Sequence, residues 1–454
     1  MLIKKMIIPA FILILVSVSA KSQEVLDRSA YYTFGEELFL EAHVFPHEST
    51  DSVRVISLFK LLYNAMLFSQ NEEEIDSRGR YKATPQIDFS FRDERGIIRK
   101  SSFWSDTVFV SKYEESVSKK KYRQGYLDLV LPKGIYTLTA VINDSYGNKD
   151  NTNELQVDAN KDFFNKADIS RPVFSFAGES TRIIDPFVLG GNIPFRADGA
   201  GVLTQISYKE PDIYYYSIEK TAGGTRYDVW KPDLRLSGAA ELLRNKRISI
   251  AKELSAAQLT LELIDDDLSN DYDYDLGVIK VNIDKNTLVP GYYNLKLFKE
   301  GSADTLKEKF KVIWTEEPLS FKSLDYAIDA MYYILTEDEH DKMKKGSDKE
   351  QFKKLIEYWE KNDPTPGTPY NEKMVEYFER VDYAFFNFQT IAEKDGAKTD
   401  RGMIYILKGK PSEIETKLVD GNNRIIWLYD NIMKKYTFEN VKTGVYRLIS
   451  EEDL

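Results

Sequence analysis

Carboxylates gather near the end of the chain in a pattern that could do acid–base work. Asp400 precedes Arg401, and Asp363, Glu393 and Glu413 lie to either side of that pair. Two carboxyl groups facing each other across a cleft can serve a hydrolase as acid and base, which makes Asp400, Glu413 and Asp363 candidate catalytic residues. The same residues also suit a structural role. Thr399 and Asp400 can cap a turn ahead of a strand, Arg401 can fork onto a helix carboxylate such as Asp363 or Glu393, and Gly402 can take a positive φ. A second acidic group, Asp265-Asp266-Asp267 with Asp271, Asp273 and Asp275, offers the alternating oxygens that a calcium ion accepts. It departs from the EF-hand pattern, because Leu276 stands where the loop needs Gly and Asn282 where it needs a bidentate Glu, so a solvated loop without metal is expected. His43 and His47 are four apart, but Pro46 breaks any helix that would align them; a strand residue and a turn residue are expected.

Composition restricts the chemistry further. The 454 residues include no Cys and three His (His43, His47 and His340), which removes disulfides, thiolate metal sites, thiol nucleophiles and a multi-histidine metal centre. No nucleophile elbow, phosphate loop or His-Glu-x-x-His helix occurs in the sequence. No cofactor is expected. A net charge of −11 argues against a nucleic-acid partner, since phosphate neutralisation needs a basic excess.

The elements that must position these residues fall into four segments. Lys4 and Lys5, the apolar run 6–18 and the small-residue site Val18-Ser19-Ala20 read as a signal peptide over 1–20. The mature chain is then expected to be extracytoplasmic, periplasmic or secreted, without a transmembrane anchor. Residues 21–160 and 161–317 are rich in period-two alternation, as in Glu37 to Val44, Gln86 to Phe91 and Gly134 to Val141. Each contains a Pro and Gly turn followed by Tyr, at Pro132 to Tyr136 and at Pro290 to Tyr293, and each is expected to be an immunoglobulin-like or macroglobulin-like β-sandwich. Two regions leave alternatives open. Residues 147–154 read as a loop or linker, and the Ala- and Leu-rich stretch Leu236 to Gln258 could be helical.

After Pro318 the period changes to 3.6. Ser347 to Glu350 forms a capping box, and Phe352, Leu355, Ile356 and Trp359 follow on one stripe, which predicts a helix over 348–361. The loop Asp363-Pro364-Thr365-Pro366-Gly367-Thr368-Pro369 ends it. A second helix should bury Met374, Phe378, Val381, Phe385 and Phe388, and strands are expected at 403–407 and in the remaining chain, giving an α+β domain over 318–454. Its expected core is Trp359, Phe378, Phe385, Tyr405 and Trp427.

The run 363–369, with Asn371-Glu372, Glu376-Tyr377, Arg380 to Ala384, Gly396, Thr399-Asp400-Arg401-Gly402 and Gly409-Lys410-Pro411, resembles the bacterial GWxTD domain family. The signature tryptophan is replaced here by Ala397. The resemblance implies a secreted bacterial protein and supplies no established activity. Two functional classes follow: a non-catalytic envelope protein that binds a protein or glycan partner, or a carboxylate-dependent hydrolase of peptide or saccharide with its site near Asp400 and Glu413.

Overall fold

The computed structural model describes residues 37–454 apart from 72–77, 144–150, 178–181, 196–198, 211, 252–258, 270–271, 286 and 302–304; the expected signal peptide lies outside the described residues. The chain divides into two compact units, Phe34–Thr315 and one containing Glu316–Leu454.

In the first unit, period-two alternation produces antiparallel strands: β1 (Leu38–Phe45), β2 (Ser52–Leu62), β3 (Ser69–Gln70), β4 (Tyr81–Ala83), β5 (Gln86–Asp93), β6 (Ile98–Ser105), β7 (Val108–Val110), β8 (Tyr122–Pro132), β9 (Ile135–Asn143) and β10 (Asn151–Asp158). They form sheets ordered β1-β2-β8, β10-β9-β5-β6 and β3-β4-β7. Val53, Val55, Phe59 and Leu61 of β2 share a core with Ile87, Phe89, Phe91 and Leu138. The alternate residues Ile56 and Leu58 point the other way, into a second core with Val173, Ile184, Leu203, Leu261 and Val278. One strand thus serves two cores, because its two faces are both apolar. Its neighbour β1 does the same with a polar addition. Leu38, Leu40, Ala42 and Val44 join the first core, while buried Glu41 turns to the other side and accepts bonds from Leu189 N (2.7 Å) and Gly191 N (2.9 Å).

The rest of this unit comprises β11 (Val173–Phe176), β12 (Ile183–Ile184), β13 (Ile193–Pro194), β14 (Ala200–Tyr208), β15 (Tyr214–Thr221), β16 (Arg235–Arg244), β17 (Lys246–Ile250), β18 (Leu261–Asp265), β19 (Asp275–Ile283), β20 (Gly291–Lys299) and β21 (Thr305–Ile313). Their order is β11-β14-β19-β16-β15-β20-β21-β13, with a separate β12-β18-β17 sheet. The helix considered for Leu236 to Gln258 gives way over its described part to β16 and β17. In β16 residues 235–240 pair with β15 and 241–244 with β19, and Asn245, at φ 51°, turns the chain into β17. Ladder pairing along the whole strand, first with β15 and then with β19, outweighs the helical propensity of Ala and Leu there. The loop expected at 147–154 is likewise shortened, since 151–154 belong to β10. The two Pro and Gly turns have a common geometry: the Tyr136 hydroxyl donates to Pro132 O at 2.9 Å and the Tyr293 hydroxyl to Val289 O at 2.7 Å, each four residues back and each ahead of a hairpin.

In the second unit the period of 3.6 yields helices at Leu324–Ala330, Glu337–Met343, Asp348–Lys361 and Glu372–Asn387. Both halves of the Ser347 capping box form, and Asn371 caps the next helix by accepting from Met374 N at 2.8 Å. A four-stranded antiparallel sheet follows, β22 (Glu413–Val419), β23 (Asn422–Tyr429), β24 (Lys434–Lys442) and β25 (Val445–Asp453). Trp359, Phe378, Phe385 and Trp427 are buried as expected, and half-buried Tyr405 packs between Tyr383 and Phe388. The strand expected at 403–407 is instead the helix Asp400–Lys408. Thr399 starts it by accepting from Gly402 N at 3.0 Å, and that cap overrides the β propensity of Ile404, Tyr405 and Ile406. Among the described residues no helix is long and apolar enough to cross a membrane.

Candidate functional site

The signature segment is built around two glycines and a cap. Gly396 opens a short 3-10 turn, Gly396–Lys398, against the end of the Glu372–Asn387 helix. A methyl on Gly396 would overlap Ala384 O and stand 2.6 Å from Gln389 N and 2.7 Å from Phe385 O, all backbone atoms. Gly402 is needed for the same reason and not for a positive φ, since it is helical and a methyl there would overlap Gly396 O and lie 2.9 Å from Ala397 Cα. Thr399 locks the two together, its Oγ1 donating to Gly396 O (2.8 Å) while accepting from Gly402 N. Asp395 accepts from Ala397 N (3.1 Å) and from the Tyr326 hydroxyl (3.0 Å), and the Tyr333 hydroxyl donates to Ala397 O (3.0 Å). Burial, reinforced by Asp395, raises the Tyr326 pKa, and burial pushes Tyr333 up to about 12, so both hydroxyls stay protonated donors.

Of the candidate catalytic carboxylates, Asp400 and Asp363 are engaged by backbone N–H groups and Glu413 is exposed. Asp400 accepts from Leu448 N at 2.7 Å and so ties the helix start to β25. Asp363 accepts from Thr365 N at 2.8 Å within the loop Asp363 to Pro369, where Thr365 Oγ1 also donates to Glu372 at 2.6 Å. In that loop Pro364, Pro366 and Gly367 are exposed, Thr368 Oγ1 donates to Tyr370 O at 3.0 Å, and Pro369 is buried. Glu413 is exposed at the start of β22. Among the described residues no hydrogen bond or ion pair joins these three. Arg401 takes neither expected carboxylate. Its guanidinium lies 4.5 Å from the Tyr446 ring centroid and 5.4 Å from that of Phe388, and Arg447 holds Glu393 at 2.6 Å in its place. Burial lowers the Arg401 pKa against the opposing pull of Tyr446 and Glu393. Gly409 ends the helix at φ 81°, its carbonyl accepting from the buried Tyr429 hydroxyl at 2.8 Å, and buried Pro411 follows.

The other candidates are similarly engaged. Asp265 pairs with Lys246, and Asp266 and Asp267 pair with Arg247. Asp271 lies outside the described residues, Asp273 and Asp275 are exposed, and among the described residues no group of three possible metal ligands occurs. His43 is a buried β1 residue 3.3 Å from Glu41, and His47 accepts from Ser49 N in a loop.

A groove not singled out in the sequence lies on the large sheet of the first unit. Its volume is about 570 Å³, and it is lined by Asn192, Thr221, Tyr292, Asn294, Lys309 and Lys311, among others. Register explains the set: Tyr292 pairs with Lys311 and Asn294 with Lys309, so all four share one face, continued by the pair Lys296 and Lys307. Lys311 Nζ sits 5.1 Å from the Tyr292 ring centroid, while the exposed Lys307 and Lys309 make no ion pair among the described residues. The signal was legible as lysine at every second position, Lys307, Lys309 and Lys311.

Residues 294–448 carry a GWxTD domain, a match that begins within β20. No curated protein matches the sequence. Among solved structures the chain is similar to the C-terminal domain of the Streptococcus pyogenes antigen I/II-family protein AspA, at 10% identity over 61% of this chain and 100% of that one with a TM-score of 0.17. A family 123 glycoside hydrolase from Clostridium perfringens is similar at 15% identity over 37% of this chain and 31% of that one, with a TM-score of 0.12. Likenesses at these scores say nothing of this chain's activity.

Proposed function

We propose that this protein is a non-catalytic, extracytoplasmic binding protein of the cell envelope that takes an anionic glycan in the groove between Asn192 and the β20–β21 face. The observation that carries this reading is the composition of that face. An aromatic ring, the carboxamide of Asn294 and four lysines share one side of a sheet with a single carboxylate, Glu219, which lies 4.0 Å from Lys296, in a chain whose net charge is −11. Tyr292 offers a flat apolar surface for a sugar ring, Asn294 offers amide hydrogen bonds, Asn192 closes the edge with its amide held by Lys311 N and Leu189 O, and the ammonium groups select negative charge. The GWxTD signature fits a supporting role, because Gly396, Thr399, Asp400 and Gly402 hold backbone. The expected export segment supports the address. The repeated tyrosine geometry at Tyr136 and Tyr293 supports two sandwich-like modules, 21–160 and 161–317, ahead of the 318–454 domain.

The test is binding of the full chain to a polyuronate beside neutral dextran of similar length, at two salt concentrations. Polyuronate should bind, weaken as salt rises, and weaken by at least about tenfold in the Lys309→Glu/Lys311→Glu variant, since each exposed contact is a screened electrostatic one. Equal binding of both polymers, or no effect of the charge reversal, refutes the assignment of the groove. A variant at exposed Lys417, on the other unit, serves as the control.

A further inference from the structure

The groove occupies one end of a longer exposed face. Tyr292 pairs with Thr221 of β15 and Lys311 of β21 at one end of β20, and Phe298 pairs with Tyr215 and Thr305 at the other. Tyr293, Leu295 and Leu297 between them are buried, so the alternate residues form the outward side. At the far end Tyr215 and Phe298 stack across the strands, with ring centroids 5.9 Å apart and planes inclined by 25°, and the Tyr215 hydroxyl meets Glu300 at 3.5 Å. Both residues are half-buried, which leaves part of each ring to solvent. At about 3.4 Å per residue, Tyr292 and Phe298 stand ~20 Å apart along β20. Charge runs along the same line. Lys296, Lys307, Lys309 and Lys311 share these rows with one carboxylate, Glu219, 4.0 Å from Lys296. Lysines on β21, bordered on its far side by the two-residue β13 alone, also guard a sheet edge against unwanted pairing. That duty explains neither Lys296, on the interior strand β20, nor aromatic rings at both ends.

Taking the groove as the glycan site, on which this reading depends, we infer that the face is one continuous track whose second subsite is the Tyr215 and Phe298 pair, and that the ligand is a polymer of acidic sugars laid along β20. The geometry selects length. A disaccharide covers the groove or the aromatic pair, whereas a chain of several sugars reaches both and passes the ammonium groups between them. Each exposed ammonium contributes little alone, because water and salt screen it, so affinity accumulates when one molecule engages rings and charges together. The rings supply apolar contact, and the lysines supply the preference for carboxylate.

Displacement of a fluorescent polyuronate from the full chain by oligouronates of two and of eight sugar units tests the track. Alternative registers of a long chain supply a gain of up to about tenfold by themselves. The eight-unit chain should therefore bind more than about tenfold more tightly than the two-unit one. In Phe298→Ala that ratio should fall below about tenfold. Lys307→Glu alters an exposed residue and should lower the ratio likewise, so the result stands whether or not Phe298→Ala folds. A ratio below about tenfold in the unmodified chain, or one that stays above it in Lys307→Glu or in a folded Phe298→Ala, overturns the track. The groove survives that outcome as long as polyuronate binding still weakens in Lys309→Glu/Lys311→Glu. If polyuronate does not bind the unmodified chain, groove and track fall together.

Discussion

Alanine at Gly402 should destabilise the C-terminal unit, although glycine-to-alanine changes inside helices ordinarily stabilise. Gly402 lies in the first turn of the Asp400–Lys408 helix, where alanine would normally gain ~0.5–1 kcal/mol. Here the new methyl would overlap Gly396 O and press on Ala397 Cα and O at 2.9 Å. Those obstacles are backbone atoms of a turn that is itself pinned against Ala384 and Phe385, so no side chain can rotate away. Overpacking of this kind costs ~1–3 kcal/mol. Lifting the helix to relieve it stretches the bond from Gly402 N to Thr399 Oγ1, a cap of ~1 kcal/mol. Set against the helical gain, the net expectation is a loss of about 2 kcal/mol. At roughly 4 °C per kcal/mol for a unit of this size, the corresponding transition should fall by about 8 °C. Differential scanning calorimetry of the full chain measures it, with Gly367→Ala as control, because no atom lies within 4 Å of a methyl there. A Gly402→Ala transition at or above the unmodified one would refute the close-packing account of both signature glycines.

Two further outcomes follow from groups buried in the first unit. Glu41→Ala should cost about 3 to 5 kcal/mol in urea unfolding, because it removes two charge-assisted bonds of ~1.5–3 kcal/mol each and strands the Leu189 and Gly191 donors; a cost below ~1 kcal/mol would mean that water replaces the carboxylate freely. Lys220 donates to Tyr227 O at 2.6 Å and to Trp230 O, and burial pulls its pKa down to about 8. Between about pH 8 and the ordinary lysine value the unfolded chain therefore holds more protons at this position, so Lys220 makes stability rise with pH across that window. The difference in unfolding free energy between the unmodified chain and Lys220→Met, followed from pH 7 to 10, should climb; a flat difference contradicts the buried-ammonium reading.

Where local chemistry decided the structure, it could be read in advance. The Asp348–Lys361 helix was legible because Ser347 and Glu350 satisfy each other's backbone donors and the apolar stripe follows at once. The Asp400–Lys408 helix was not, and its burial shows why. Gly402, Ile404 and Ile406 are buried while Met403 and Tyr405 are only partly so, a period of two inside a helix. The helix is contacted by the Glu372–Asn387 helix and by β25, and with nine residues it is too short for its periodicity to stand out against the strand-like run Met403 to Leu407, rich in β-branched and aromatic side chains. β2 posed the converse case. Its apolar residues, interrupted by Arg54, Ser57 and Lys60, occupy both faces, and the second core that Ile56 and Leu58 join is built largely from strands more than a hundred residues later in sequence.

Charge partners were the least legible feature, and Arg401 shows the physical reason. The sequence presents one arginine in the signature and several carboxylates near it, and pairing by proximity in sequence assigns Glu393 to Arg401. In the fold β25 brings Arg447 to that carboxylate at 2.6 Å, and Arg401 is left between the rings of Tyr446 and Phe388. Both arrangements stabilise a cation, one by a forked ion pair and one by the negative faces of two rings, and they differ by less than sequence spacing can resolve. What distinguishes them is the neighbouring strand: Asp400 binds Leu448 N, which fixes the register of β25 against the helix and so carries Tyr446 and Arg447 to their places. The signature aspartate therefore acts on Arg401 through the backbone of a strand nearly fifty residues later, and the position of that arginine becomes readable only once the strand is in hand.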